Sequence, residues 1–443
     1  MARYLLATIP STGHVTPTLP LAAALVERGH EVRCYTGAAF AGAIEAVGAV
    51  HCPIVESYDF SDRDFDEAFP DLNGLTGIAG MREAIKRIFI DPAEGALRDC
   101  QAILDDFHAD VIVGSSVFLA ARWTHELGGP PWVSLGDTML GTYSRDVPPV
   151  GLGLLPMRGP LGRTRNRLLT AIHARAVFRP VTEHSNRARA RVGLPPLGSF
   201  LDTLTSPYLF LQGTVPACEF PRGDLAPQIH FVGPFLPRAP EHFEPPAWWS
   251  ELKDGRPVVL VTQGTVNTDA SGLLAPALAA LAEEDVLVIA TTGSPTESAA
   301  AALPQPLPAN VRLERFIPLP ALLPHVDAVV TNGGYGGTQQ TLAHGIPLVI
   351  AGATEEKPET AARVAWAGAG IRIRRHPPSP AVLRKAVRAV LHDPRYRNNA
   401  QRIQADMAAC DAPATAATLL EQLAAEGQPI HRSDVHHRAP VFA

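Results

Sequence analysis

Short apolar runs alternate with amphipathic helical stretches twice along this 443-residue chain, and a proline-rich segment divides the two series. Tyr4 to Ile9 reads as a buried strand and Pro17 to Arg28 as a helix. Pro17 and Pro20 sit in that helix's first turn, where a missing N–H costs little. Leu21, Ala24 and Leu25 then share one face. His30 to Tyr35, Asp110 to Val113 and Trp132 to Leu135 read as further strands. Prolines 234, 237, 240, 245, 246 and 257 mark a linker. Beyond it, strands at Val258 to Thr262, Val286 to Thr291, Val311 to Phe316, Ala328 to Thr331 and Leu348 to Ala351 are interleaved with helices. Three of those helices are Leu273 to Glu284, Lys357 to Ala367 and Ala381 to Leu391. Such alternation predicts parallel sheets covered on both faces. The fold class is therefore α/β, with two doubly wound domains facing a cleft. Residues 1–235 form the first domain, 236–256 the linker, 257–427 the second domain and 428–443 a tail. Trp248 and Trp249 read as packing residues of the linker.

Composition narrows the function classes. With 46% hydrophobic and 19% charged residues, the chain belongs among ordered globular proteins. A net charge of −6 and the lack of a long basic run disfavour nucleic acid as a partner. The five cysteines are scattered without CxxC spacing, which predicts no zinc site and no disulfide framework, and fits the cytoplasm. No run approaches the ~20 apolar residues of a membrane helix, and no strongly basic amphipathic helix signals a membrane surface. Ser57 to Gly80 is acidic, Phe-rich and aperiodic. It reads as a long loop over a ligand cleft or as a disordered insertion. His431, His436 and His437 read as part of a frayed terminus rather than a metal site.

The chemistry-bearing motifs lie where strands end. Thr331-Asn332-Gly333-Gly334-Tyr335-Gly336-Gly337-Thr338 joins a buried strand to a helix. Its glycines let backbone N–H groups approach a ligand, and the helix N-terminus favours a phosphate or diphosphate. A tight turn without a ligand is the plain alternative. After the first strand comes Pro10 to Pro17, with Gly13 and His14 where a dinucleotide-binding domain would carry GxGxxG. A nicotinamide enzyme is thereby disfavoured. A neutral imidazole at that position can accept a proton from a hydroxyl, or can simply pack at the turn. Thr262-Gln263-Gly264-Thr265 is the equivalent turn of the second half, offering backbone access at Gly264 and a hydroxyl at Thr265. Phe316 and Ile317 can flank a planar base or serve as strand-end packing. Glu355-Glu356-Lys357 can bind sugar hydroxyls or start a solvated helix.

Taken in order, these segments resemble the nucleotide-sugar-dependent glycosyltransferases of the GT-B fold, whose two domains are Rossmann-like. The likeness is to the bacterial antibiotic and macrolide type, related to the UDP-glycosyltransferases. It runs through Gly13 to Pro17, Leu209 to Pro234, Thr262 to Thr265, Phe316 to Asp327, Asn332 to Thr338, Gly345 to Leu348 and Glu356 to Val364. The resemblance implies an inverting, metal-independent transfer of a sugar from a TDP- or UDP-sugar to a hydroxyl of a lipophilic small molecule. His14 would be the general base, and the nucleotide sugar a co-substrate rather than a cofactor. Gly13, Gly264, Thr265, Phe316, Ile317, Asn332, Gly333, Gly334, Gly336, Gly337, Thr338, Glu356 and Lys357 would line the donor site. The protein would act as a monomer or homodimer.

Three positions depart from the family pattern. Asn332 replaces a phosphate-binding histidine, and Lys357 stands where a glutamine follows the acidic residue, here Glu356. Ser115 occupies the place of the aspartate that supports the base, with Ser116 beside it. A serine can orient His14 but brings no charge; otherwise His14 works unassisted, or with a carboxylate such as Asp137. Alternatives to the leading reading are a non-catalytic nucleotide-binding helper protein, an acceptor-independent enzyme such as an epimerase, and a sterol or lipid glycosyltransferase.

Overall fold

The computed structural model describes residues 1–240, 242–264, 269–293 and 302–432. Thirteen strands among them form two parallel sheets. In the first sheet, β1 (Arg3–Ala7), β2 (Glu31–Thr36), β3 (Val50–Pro53), β4 (Val111–Ser115), β5 (Trp132–Gly136), β6 (Leu209–Gln212) and β7 (Ile229–Phe231) are arranged β3-β2-β1-β4-β5-β6-β7. The second sheet runs β10 (Val311–Glu314), β9 (Leu287–Thr291), β8 (Val258–Thr262), β11 (Ala328–Thr331), β12 (Leu348–Ile350) and β13 (Gly370–Arg372).

Both sheets bury alternate residues on opposite faces, as the period of a strand requires. Leu5 and Ala7 enter one core, while Tyr4 and Leu6 enter the other. In the second sheet, Val259 and Val261 face one helical layer and Val258 and Leu260 the other. The strand order reverses between β1 and β4 and between β8 and β11, so each sheet has a crevice at its carboxyl edge.

Three features depart from the sequence reading. Strands β3, β6, β7 and β13 are additional to those read from the sequence. The Ser57–Gly80 segment is folded: it contains the helix Phe65–Ala68 and the start of Gly77–Ala84. Phe60 and Phe69 meet edge-on at 5.0 Å, and both are buried in the first domain's core. Finally, the helix Ala412–Glu426 lies within the span assigned to the second domain, yet packs on the first sheet. Ala416, Leu420 and Leu423 join Tyr4, Leu6 and Val113 in one cluster, and Arg28 and His30 both reach Glu421. Nothing local in an apolar helical face says which sheet covers it. Of the tail, Ile430 and Arg432 also bond first-domain carbonyls, while His436 and His437 fall outside the described residues. Trp248 and Trp249 pack against the second domain's core, and the indole of Trp248 donates to Glu314 at 2.8 Å.

Candidate active site

The carboxyl edges of both sheets meet: Gln212, the last residue of β6, donates to the Tyr335 hydroxyl at 3.4 Å, and Thr214 lies within hydrogen-bond reach of Gln339. From the first sheet, the turn after β1 forms a single short helix, Thr12–Val15, that carries His14. β4 ends in Ser115, and β5 is followed by Asp137. The Nδ1 atom of His14 lies 2.6 Å from Asp137 Oδ2. Ser116 Oγ donates to the other oxygen, Oδ1, at 2.8 Å. The Asp137 side chain is completely shielded from solvent. Burial pulls the His14 pKa down, but the charge and hydrogen bond of Asp137, with a further contribution from Glu356, outweigh it. The imidazole therefore titrates above the ordinary histidine value.

This corrects the reading of Ser115. Its hydroxyl is buried and makes no hydrogen bond among the described residues. The carboxylate instead comes from the next strand over: β4 and β5 pair in register, Ser115 opposite Leu135, so Asp137 emerges beside the serine pair. Asp137 could be proposed from sequence but not chosen, because the neighbour relation of β4 and β5 is a tertiary fact.

In the second sheet, Thr331 pairs with Thr262 on one side and Ile350 on the other. The three following turns are thereby brought together. Asn332 is buried; its amide donates to the Gln263 carbonyl, and its Oδ1 accepts from the Gly334 N–H at 3.3 Å. It braces two turns against each other. Gly333 has φ +96°, and a Cβ there would stand 2.5 Å from Ile350 Cγ2, so only glycine fits. Added Cβ atoms at Gly334 and Gly336 would meet nothing within 4 Å, which leaves space above the turn. The helix Tyr335–Ala343 begins here, and its first N–H groups have no intrahelical partner.

Other expected donor residues divide by environment. Gly13 is exposed beside His14, and Gly264 faces the Asn332 amide at 3.9 Å from an added Cβ. Phe316 is 67% exposed and free to stack, whereas Ile317, at 3%, belongs to the core. Thr338 is buried and spends its hydroxyl on the Gly334 carbonyl. Thr265 lies outside the described residues. Lys357 starts the helix Lys357–Trp366. Its ammonium is paired with Glu355, which adopts a left-handed φ of 55°, and not with Glu356. Burial and then the Glu355 charge push the Glu356 carboxyl up, against the opposing pull of Lys357 and His14. The His14–Glu356 coupling runs between the two domains.

Sequence reasoning missed the contacts that hold the domains together. Thr214 donates to Gln339 at 2.8 Å. Deeper, Arg363 bridges Glu219 of the first domain and Glu359 of its own helix, each at 2.8 Å. The Gly153 N–H completes Glu359 at 2.5 Å, and the Leu140 N–H completes Glu219 at 2.8 Å. No local pattern could have marked these groups as partners, since Glu219 and Arg363 lie 144 positions apart.

Comparison with known proteins gives the chain its relatives. Residues 275–423 match a family described as erythromycin biosynthesis protein CIII-like, C-terminal domain. The 4'-demethylrebeccamycin synthase of Lentzea aerocolonigenes is 51% identical over 424 residues, covering 95% of this chain and 99% of that one. The glycotransferase of kitacinnamycin superposes with a TM-score of 0.72 at 23% identity, over 95% of this chain and 98% of that one. The glycosyltransferase VinC, solved in complex with DTDP, gives a TM-score of 0.67 at 22% identity, over 96% and 100%. These two structures speak for the fold.

Proposed function

The chain belongs to the antibiotic-type glycosyltransferases, and from that premise we propose that it moves a sugar from a TDP- or UDP-sugar to a hydroxyl of a lipophilic small molecule, inverting the anomeric carbon. The observation that carries this reading is the chain Ser116–Asp137–His14, with Glu356 of the second domain near enough to act on His14 by its charge. With its Nδ1–H given to Asp137, His14 presents the Nε2 lone pair to an acceptor hydroxyl. As that hydroxyl oxygen attacks the anomeric carbon, its proton passes to Nε2 and the bond from the sugar to the diphosphate breaks. The Asp137 carboxylate offsets the charge of the imidazolium formed. Charge on the departing diphosphate falls on the N–H groups of Tyr335, Gly336 and Gly337 at the start of the helix, and on its dipole. Phe316 is placed to stack on the base, and Glu356 is left to meet sugar hydroxyls, because Lys357 is held by Glu355. Asn332 serves as a brace rather than a phosphate ligand.

The acceptor belongs to the first domain. There, a cavity lined by Pro10, Tyr35, Tyr58, Phe60, Phe89 and Phe118 lies under the folded Ser57–Gly80 segment. It encloses about 20 Å³, little more than a water needs. A flat apolar acceptor thus enters as the segment lifts. No helix of the described residues is long and apolar enough to cross a membrane, and the cytoplasm is the setting we propose.

Calorimetry with TDP and UDP tests the donor half. One diphosphate should bind, and Asn332→Ala should weaken it by roughly tenfold, as expected for loosening two hydrogen-bonded turns. Proton NMR of the glycoside tests the chemistry, and a retained anomeric configuration would rule the mechanism out. Diphosphate binding with no transfer to any acceptor would favour a helper protein instead.

The raised His14 pKa also predicts a pH profile. Only neutral His14 can act as base, so activity should fall as pH drops through a value above 6.5. In Asp137→Asn the upward charge effect is gone, so the limb should move to lower pH. An Asn amide that donates to Nδ1 also forces the ring proton onto Nε2, and the plateau rate should fall by ~10²-fold or more. Ser115→Ala should leave both limb and plateau in place.

A further inference from the structure

The helix Gly159–Ile172 is mounted with its apolar side outward. Its buried positions are Gly162 and Asn166, and Asn166 docks it by donating to the Arg145 carbonyl at 3.1 Å. Leu161, Leu168 and Ile172 are 78%, 62% and 51% exposed. At 100° per residue they fall on one stripe of the helix. Sequence reading finds no basic amphipathic helix because the inward face is small and polar, so periodicity does not separate core from surface. Just before the helix, Leu152, Leu155 and Met157 are exposed as well.

Along the stretch of chain that carries this stripe the charge is one-sided. From Asp146 to Glu183 no acidic residue intervenes, while Arg158, Arg163, Arg165, Arg167, Arg175 and Arg179 do, in a chain of net charge −6. Arg163 is paired with Asp146 and Arg179 with Glu183. Arg158, Arg167 and Arg175 have no ion pair among the described residues. Arg167 and Arg175 join Arg145 and Tyr143 around an open groove of about 470 Å³. The groove's one carboxylate, Asp224, is already engaged by Ser144 Oγ at 2.5 Å and the Arg145 N–H at 2.7 Å. The neighbouring end of the Ser57–Gly80 segment adds exposed Leu75 and Ile78. Arg82, in the helix that follows, donates to the Val177 carbonyl at 2.8 Å and ties the two surfaces together.

We propose that this face docks the protein peripherally on an anionic lipid surface, with the aliphatic stripe among acyl chains and the groove arginines on lipid phosphates. Aliphatic side chains flanked by arginines suit the headgroup boundary. A protein partner is the poorer fit, because binding hot spots favour Trp and Tyr over Leu and the stripe carries neither. A second copy related by a two-fold axis would set the arginines against one another. The proposal stands apart from the transferase reading, though docking beside the segment over the cavity would bring a lipophilic acceptor to its entrance.

Flotation of the full-length protein with vesicles tests it. Binding is expected to phosphatidylcholine vesicles containing phosphatidylglycerol and not to phosphatidylcholine alone, and to fall as salt rises. A Leu161→Gln, Leu168→Gln, Ile172→Gln variant should bind at least tenfold more weakly. Arg167→Gln with Arg175→Gln should bind more weakly and with a shallower salt dependence. Circular dichroism should show both sets folded, and transfer to a water-soluble acceptor should be unchanged. No binding to the anionic vesicles at low salt would overturn the proposal, as would undiminished binding by both variants. A dimer in sedimentation velocity that the apolar substitutions dissolve, without vesicle binding, would assign the face to a second copy and overturn it too.

Discussion

His14→Ala should slow sugar transfer by ~10²–10⁴-fold, the usual contribution of a positioned general base, while the affinity for the donor diphosphate stays unchanged. The split follows from geometry. His14 belongs to the first sheet's carboxyl edge, where it is bonded to Asp137. The proposed diphosphate site lies on the second sheet's glycine turn. A loss confined to kcat, with diphosphate binding intact by calorimetry, is the expected pattern. Near wild-type turnover in His14→Ala would remove His14 from the base role, without touching the family assignment. His14→Gln keeps a polar side chain but no comparable base, and should fare no better.

Arg363→Met should destabilise the folded protein by about 3–5 kcal/mol, the range seen when one partner of a buried ion pair is removed. Burial by itself would lower the Arg363 pKa, but Glu219 and Glu359 overcome this and hold the guanidinium charged. Phe220 lies against its face, with the guanidinium carbon 4.5 Å from the ring centroid. Without the cation, the two buried carboxylates would keep one backbone N–H each, from Leu140 and Gly153, and only the more distant charges of Arg222 and Arg372. Urea unfolding of Arg363→Met reads the loss directly. Adding Glu219→Gln to that variant should restore part of it, because one buried charge is then gone. The helix held by Arg363 begins with Lys357 and follows Glu356, so a folded Arg363 variant should also show a raised donor KM. Unaltered stability in Arg363→Met would mean that water reaches the network and that it does not lock the two domains.

What the chain revealed on its own depended on information carried within about a dozen residues. The apolar run Tyr4 to Ile9, the restart at Val258 after the prolines and the glycines from Gly333 to Gly337 each declare a strand, a helix start or a turn through their immediate neighbours. The rule that ligands gather at carboxyl ends of parallel strands then drew attention to His14, and the glycine motif to Asn332. Helix Gly159–Ile172 shows the limit of that reasoning. Its apolar residues share one stripe, yet the side turned inward is the one with Gly162 and Asn166, the latter bonded to the Arg145 carbonyl.

Sequence thus determined the two alternating series and the turns that follow β1 and β11, because helix and strand periodicity and glycine's backbone freedom are local properties. Tertiary structure decided the rest. It chose Asp137 over Ser115 as the partner of His14, gave Lys357 to Glu355, returned Ala412–Glu426 to the first sheet and closed Glu219, Arg363 and Glu359 into one network. Each of those choices turns on which strands lie side by side and which groups lose their water together, and neither is written in any short stretch of the chain.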